Sequence, residues 1–181
     1  AELAKGNFPD PVVLPDRTFA DNETLIIGGV QLVTREMGKA ESNGATVFYL
    51  PATGDLYAGD LVLNRMHGFF YEGASLENLT VMDRLGSLFP RARTLHPGHG
   101  SAGPAADLIS GHRDYIVQAR KLAARALAKS GNTPTAHADV VRSLKAKYPK
   151  FGIPGGQPDM IEVSVKGLLD ELSTPTQTPV R

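Results

Sequence analysis

Two apolar segments joined by a short turn constrain the fold of this chain more than any other feature. Residues 45–50 and 56–63 flank a Pro-Ala-Thr-Gly-Asp turn, and their apolar residues are more continuous than alternating. Runs of this kind are typical of strands that are covered on both faces. We therefore expect a sheet inside a mixed α/β (α+β) domain.

Strands precede these segments and helices follow them. A Gly28-Gly29 pair between two runs of β propensity, 24–27 and 30–36, predicts a hairpin. Farther along the chain, apolar residues at intervals of three and four predict helices. These are a helix over 75–89 with Ser75 as its N-cap, a long helix from Pro104 to Gly131, a helix capped by Thr133, and a helix whose capping box is Asp159-Met-Ile-Glu162.

The length of 181 residues suits one ordinary domain. Three prolines among polar residues predict that 1–22 is an extended lead-in to the first strand. We assign 1–130 to the sheet with its first helices and 131–173 to a helical C-terminal extension. The Thr/Pro-rich segment 174–181 is predicted to be a frayed tail.

Charge and composition exclude several classes of function. Nineteen basic residues balance nineteen acidic ones, so no overall field attracts nucleic acid or anionic lipid. No apolar run approaches the roughly 18–20 residues that span a bilayer. We expect a soluble protein, cytoplasmic or periplasmic, with no nucleic-acid or membrane partner. Because the chain has no Cys, only His, Asp and Glu are available to hold a metal ion.

Two motifs near predicted strands contain the best candidates for catalytic or metal-binding residues. Gly59-Asp60 ends a strongly apolar strand, where a buried carboxylate needs a partner, a proton or a metal. An Asp that caps a loop also fits this position. In His96-Pro-Gly-His-Gly100, a tight Pro-Gly turn would present His99 rigidly, as a metal ligand requires. His96 is better interpreted as a loop histidine bonded to backbone.

Two further residues are predicted to lie near these motifs. Glu41, in the loop 38–44, reaches the same sheet end as Asp60 if the flanking strands are antiparallel neighbours, although it also suits a solvated loop. With His99 the two carboxylates form a ligand set for Zn²⁺ or another divalent ion. His67 is placed to touch substrate, to support the ligands, or to bond locally. The other histidines are His112, on the apolar stripe of the long helix, and His137, predicted to face solvent.

In order and spacing, the stretch 35–115 resembles the C-terminal half of a metallo-β-lactamase-fold hydrolase. The motifs that carry the resemblance are Gly38-Lys-Ala-Glu-Ser-Asn-Gly-Ala-Thr-Val-Phe-Tyr-Leu-Pro51, Leu56-Tyr-Ala-Gly-Asp-Leu-Val62, Asn64 to His67, and Pro97-Gly-His-Gly100. The family packs two βα halves around a sheet sandwich, with the active site between them. The resemblance therefore implies the C-terminal half of an αββα sandwich, with extra C-terminal helices.

The resemblance also implies an activity and roles for single residues. In the family, the Asp after Gly bridges two metal ions and the His of the Pro-Gly-His-Gly turn binds the second ion. These roles carry over to Asp60, which would also contact the nucleophile, and to His99. The resemblance implies a zinc-dependent hydrolase, with two ions when complete, that attacks an ester, lactone, amide or thioester of a small molecule. His67 would orient this substrate, and the aromatic loop 69–71 would wall the pocket.

Two departures limit what this chain does alone. Glu41 stands where the family normally has a His ligand, and the family's His-x-His-x-Asp-His motif is absent. We therefore expect an inactive half of a longer protein, whose partner is the missing N-terminal half. The helices after residue 130 would cover the pocket or form a homo-oligomer contact. The alternatives are a non-catalytic binding or regulatory protein that keeps the fold, and a helical interaction module.

Overall fold

The part of the chain that the structure describes folds into a six-stranded sheet with four α-helices. A computed structural model describes residues 13–157 and 159–174. The elements are β1 (Thr24–Ile27), β2 (Val30–Gly38), β3 (Ala45–Leu50), β4 (Asp55–Leu63), α1 (Ser75–Leu88), β5 (Thr94–His99), β6 (Gly103–Pro104), α2 (Ala105–Ser130), α3 (Pro134–Lys147) and α4 (Met160–Ser173). The predicted frayed tail lies outside the described residues except for Thr174, as do the first twelve residues of the predicted lead-in.

The order of strands in the sheet follows the order of the chain, from β1 to β6. Neighbouring strands are antiparallel, except that β4 and β5 are parallel and are connected through α1. The carboxyl ends of parallel neighbours meet at one edge of a sheet. The two motifs that contain Asp60 and His99 therefore lie toward the same edge.

The helices pack together with one face of the sheet in a single hydrophobic core. Val47, Leu56 and Leu95 are fully buried on the strands, where they join Leu85 of α1 and Ile116 of α2 in that core. Fully burying side chains of this size contributes about 1.5–3 kcal/mol each. Helices α3 and α4 add Leu144, Ile161, Val165 and Leu168 to the same core.

The opposite face of the sheet, termed the open face, is only partly covered, which corrects the expectation that 45–50 and 56–63 are covered on both faces. Successive residues of a strand point to opposite faces, and Tyr57, between the buried Leu56 and Ala58, is 43% exposed. Its ring stacks on His96, with centroids 4.3 Å apart. The apolar pattern of β3 and β4 therefore predicts a covering layer that is not among the described residues.

The predicted long helix and its neighbour are confirmed. Helix α2 ends at Gly131, whose φ of +66° suits glycine at a helix end. The Thr133 hydroxyl caps α3 by accepting the N–H of Ala136 at 3.3 Å, with Pro134 in the first turn. Among the helices in residues 13–157 and 159–174, none is long and apolar enough to cross a membrane.

Two other predicted caps are wrong. Ala74 occupies the N-cap of α1, while Ser75 is the first helical residue and donates its hydroxyl to Oε1 of Glu171 at 2.9 Å. The backbone N–H of Ser75 binds Oε2 of the same carboxylate at 2.9 Å. Asp159 precedes α4 without a side-chain capping bond. A carboxylate 96 residues away thus accepts the hydrogen bond from a free N–H group in the first turn of α1. Motif spacing within the helix does not predict this contact.

Candidate metal centre

Asp60 lies inside β4 (Asp55–Leu63), which corrects the prediction that Gly59-Asp60 ends the strand. It follows a glycine that interrupts the pairing of β4 with β5. Gly59 has a φ of +54°, and the register of the two strands shifts on both sides of it. Irregularities of this kind re-aim side chains at sheet edges. The Asp60 carboxylate lies directly over Gly98 of β5, so closely that a Cβ at position 98 would overlap its Oδ1 atom. Glycine at position 98 is therefore what allows the approach.

The Pro97-Gly98 pair lies in a strand, which corrects the predicted tight turn. Both residues belong to β5, and the chain leaves the strand after His99, at Gly100 with a φ of +92°. The carbonyl of His99 accepts the N–H of Asn64 at 3.0 Å. A parallel strand partner, rather than a turn, thus fixes the backbone of His99.

The functional groups of Asp60 and His99 face each other across neighbouring strands. Oδ1 of Asp60 lies 3.5 Å from Nε2 of His99, and the two side chains are 39% and 35% exposed. This separation exceeds the roughly 2.7–3.2 Å of an N–H···O hydrogen bond. Two ligands of a tetrahedral Zn²⁺ ion, each about 2.0–2.2 Å from it, lie about 3.4 Å apart. The two donors therefore fit two corners of a zinc site.

The surroundings of Asp60 disfavour an unpaired negative charge. Partial burial raises the pKa of its carboxyl, the neighbouring His99 lowers that pKa, and the negative charge of Glu41 raises it. The net shift is upward. A carboxylate in such a position gains from a nearby cation more than an exposed carboxylate does.

A second histidine–aspartate pair lies on the same two strands and has a different geometry. Nε2 of His96 lies 2.9 Å from Oδ1 of Asp55, which is an ordinary hydrogen bond. Hydrogen bonds from Thr53 and then His96 lower the pKa of Asp55. The bond to Asp55 is made by a side chain, so the predicted backbone bond of His96 is not what the structure shows. We call this hydrogen-bonded pair closed and the more widely separated pair of Asp60 and His99 open. The closed pair shows the distance that a histidine–aspartate hydrogen bond takes on these strands.

The role of Glu41, in the β2–β3 loop, as a metal ligand stays a prediction. The negative charge of Glu41 contributes to the raised pKa of Asp60. Oε1 of Glu41 accepts the hydroxyl of Tyr71 at 2.7 Å. Hydrogen bonding to Glu41, followed by burial, raises the pKa of Tyr71 to about 12, so the phenol is a donor at neutral pH. Sequence reasoning placed aromatic residues near the pocket but gave no signal for this contact.

His67 is placed in the interior. It is 3% exposed, its Nδ1 atom lies 3.1 Å from the hydroxyl of Tyr115, and its ring lies 5.9 Å from those of Tyr115 and Phe151. Burial, followed by the charge of Lys145, lowers its pKa. The bond to a helix 48 residues away differs from the local bond considered from the sequence. A direct contact with substrate stays a prediction for this residue.

The remaining histidines differ in burial. His112 is 6% exposed, which confirms its predicted place in the core. His137 is only partly exposed, and its Nε2 lies 2.7 Å from the carbonyl of Glu162. Across residues 13–157 and 159–174, no group of three or more His, Asp or Glu side chains could hold a metal ion. The described chain thus brings together two donors, with Glu41 nearby, and not a complete site.

Comparison with known proteins agrees with this architecture. No protein-family model and no curated protein matches the sequence. A metallo-β-lactamase from Pontibacter korlensis is 29% identical, with 65% of this chain and 54% of that protein aligned at a TM-score of 0.53. A metallo-β-lactamase family protein from Thermus thermophilus is 20% identical, with 91% and 49% aligned at a TM-score of 0.58. The chain has the metallo-β-lactamase fold.

The chain spans about half the length of these metallo-β-lactamase structures. The predicted fold class, an α/β arrangement forming half of a metallo-β-lactamase domain, is confirmed. The longer match extends past residue 130, so the similarity includes the helical segment after the sheet.

Proposed function

We propose that this chain supplies half of the metal centre of a metal-dependent hydrolase of the metallo-β-lactamase superfamily. The supporting observation is the 3.5 Å separation of Asp60 and His99 on two parallel strands. An imidazole and a carboxylate, with Glu41 beside them, suit Zn²⁺ or another divalent ion. Asp60 and His99 are the donors in place, Glu41 is a third candidate that forms no three-ligand group with them in the described residues, and we infer that the remaining ligands belong to the other half of the domain.

The residues of this chain provide position and charge for the reaction. When bound, a divalent ion polarises a carbonyl oxygen and lowers the pKa of a neighbouring water molecule. Asp60 would hold the ion and accept a hydrogen bond from the attacking water, and His99 would supply a nitrogen donor to the ion. The substrate class is a small molecule with an ester, lactone, amide or thioester carbonyl. The proposed site belongs to a dinuclear zinc centre in the complete enzyme.

The open sheet face is the surface on which the other half of the domain would pack. It carries Tyr57, with nearly half of its surface exposed, and Phe48, whose ring contacts Phe19 at 5.6 Å. A face of this kind leaves apolar surface in water until another layer covers it. We infer that this layer brings the missing ligands beside Asp60 and His99.

Zinc titration of the chain by calorimetry tests the proposal. Because only part of the ligand set is present, we expect weak binding that Asp60→Ala and His99→Ala each weaken further, by about tenfold or more. His96→Ala is the matched control, since it removes a histidine from the same strand and leaves the open pair intact. Equal zinc affinity in all four proteins would contradict the proposed centre.

A non-catalytic binding or regulatory protein is the second candidate. It is supported by the bond that occupies Glu41 and by the lack of a three-ligand group in the described residues. The adjoining coding sequence separates the two candidates. A His-x-His-x-Asp-His motif there, and carbonyl hydrolysis by the longer protein, would support the hydrolase. Absence of both would support the non-catalytic protein.

A further inference from the structure

A cavity of about 240 Å³ lies between the carboxyl end of β4, the N-terminal half of α2 and the loop that joins α3 to α4. Its apolar walls include Leu108 and Tyr115 of α2 and Phe151 of that loop. The rings of Tyr115 and Phe151 are stacked, with centroids 5.7 Å apart. Neither Asp60 nor His99 lines this cavity, so it is separate from the candidate metal centre.

One histidine in the wall of the cavity lacks a protein partner. His112 is 6% exposed, and burial alone, without a contribution from any hydrogen bond, lowers its pKa. Among residues 13–157 and 159–174, no side-chain nitrogen or oxygen is both shielded from solvent and unpartnered. The ring nitrogens of His112 therefore reach accessible space at the cavity that this residue lines. A ligand there would meet an uncharged imidazole, with one nitrogen as donor and the other as acceptor.

The charges at the rim of the cavity are opposite in sign. Arg65 and Asp107 are both exposed and both line the cavity. Arg65 has a φ of +53°, in the left-handed region that residues other than glycine rarely adopt. Because the two charges offset each other, the rim gives no net field that would select an anion or a cation. Selection by the cavity therefore depends on its apolar walls and on His112.

The volume of the cavity limits the size of its ligand. An apolar protein cavity of about 150 Å³ accommodates benzene, whereas sites for drug-sized ligands measure about 300–1,000 Å³. The cavity here lies between these sizes, which suits one ring with a small substituent. We propose that this cavity binds a single-ring aromatic molecule that carries a hydroxyl group, of which phenol is the simplest.

The chemistry of the ligand follows from the walls of the cavity. Aromatic rings pack favourably on other aromatic rings in stacked and edge-on arrangements, and Tyr115 and Phe151 supply such surfaces. A charged group would lose its hydration among apolar side chains without gaining a counterion there. A hydroxyl group is neutral and both donates and accepts a hydrogen bond, so it matches the two nitrogens of His112.

Titration of the isotope-labelled chain with phenol, followed by NMR of the His112 ring nitrogens, tests this inference. The spectrum of His112→Phe assigns these signals. We expect phenol to shift them in a saturable manner. Toluene has a similar shape without the hydroxyl group and should bind about fivefold more weakly, because it makes no hydrogen bond to His112. Benzoate should also bind more weakly than phenol, since its charge has no partner inside the cavity.

Gly111→Leu is a variant that fills the cavity and keeps the histidine. Gly111 lines the cavity at an exposed position of α2, and a Cβ there would meet no atom within 4 Å. Leucine is also a better helix former than glycine, so the variant should retain its fold, which urea unfolding checks. We expect it to abolish saturable binding of phenol. Gly86→Leu, at an equally open position of α1, is the matched control and should bind phenol like the wild-type protein.

Several outcomes would overturn the inference. These are the absence of a saturable shift of His112 with phenol, equal affinities for phenol and toluene, and equal phenol binding by Gly111→Leu and the wild-type protein. Tighter binding of benzoate than of phenol would overturn it too, because Arg65 would then be the recognising group. Zinc is absent from these titrations, so their failure would leave the proposed centre at Asp60 and His99 unaffected.

Discussion

Oδ1 of Asp60 and Nε2 of His99 stand 3.5 Å apart, whereas His96 and Asp55, on the same two strands, are closed at 2.9 Å. The closed pair satisfies itself with a hydrogen bond. The open pair has a separation that suits two ligands of one ion better than it suits a hydrogen bond. This difference between two otherwise similar pairs is the basis of the metal centre proposed above.

Gly98→Ala should disable the site and weaken the pairing of β4 with β5. The new Cβ would overlap Oδ1 of Asp60 and lie 2.8 Å from its backbone nitrogen, so the carboxylate must move away from His99. We expect a loss of zinc affinity of about tenfold or more, measured by calorimetry. Gly86→Ala, at an exposed and open helical position, is the control and should stabilise the protein by about 0.5–1 kcal/mol. Wild-type zinc affinity in Gly98→Ala would refute this role of the glycine.

Arg120→Ala should strongly destabilise the protein. Its guanidinium binds Oε1 of Glu171 at 2.7 Å, and both side chains are mostly buried where α1, α2 and α4 meet. Removing the arginine leaves a buried carboxylate without its counterion, which costs about 3 kcal/mol. Urea unfolding gives this value directly. Lys166→Ala breaks the exposed pair with Asp170 and should cost less than about 1 kcal/mol. Equal decreases in the free energy of unfolding of the two variants would contradict the prediction that the buried ion pair stabilises the fold more than the exposed one.

His112 should make the protein less stable in acid. Burial lowers its pKa to about 4, whereas an unfolded histidine titrates near pH 6.5. Between these values the unfolded chain binds a proton that the folded chain does not. The free energy of unfolding should therefore fall as pH falls from about 6.5 toward 4, by about 2 kcal/mol at pH 5 from this residue.

Urea unfolding of His112→Gln at pH 7 and pH 5 measures this contribution. The variant should lose less stability on acidification than the wild-type protein, because its side chain does not titrate. His137→Gln removes a histidine outside the core and serves as the control. The same loss between pH 7 and pH 5 in wild type and His112→Gln would contradict the assignment.

Much of the fold follows from local patterns. The hairpin glycines, the apolar runs of β3 and β4 and the periodic stripe of α2 each depend on residues close together in the chain. The prediction that Ser75 is the N-cap of α1 was wrong because Glu171, 96 residues away, accepts hydrogen bonds from the backbone N–H and the hydroxyl of Ser75. The Pro-Gly turn failed because pairing with β4 holds Pro97 and Gly98 in extended structure. Both errors come from tertiary contacts that overrode a local preference.

The sequence predicts which residues form the candidate site, but it does not predict the contacts that their side chains make. Asp60 and His99 could be placed near one sheet edge from their motifs, and the role of Glu41 as a ligand stays a prediction. The Tyr71–Glu41 bond joins loops 30 residues apart, and neither loop has a pattern that fixes its path. His67 was expected beside the site from its position after β4, but its hydrogen-bond partner is Tyr115 of α2. Loop paths are set by packing, which periodicity does not encode.

Locating zinc by anomalous X-ray scattering tests the central claim most directly. Crystals of the chain soaked in zinc should give an anomalous difference peak at the zinc absorption edge, about 2.0–2.2 Å from a carboxylate oxygen of Asp60 and from Nε2 of His99. The Asp60→Ala crystals should lack this peak. A zinc peak beside His96 and Asp55 with none at Asp60 and His99, or no peak on either pair, would contradict the proposed metal centre.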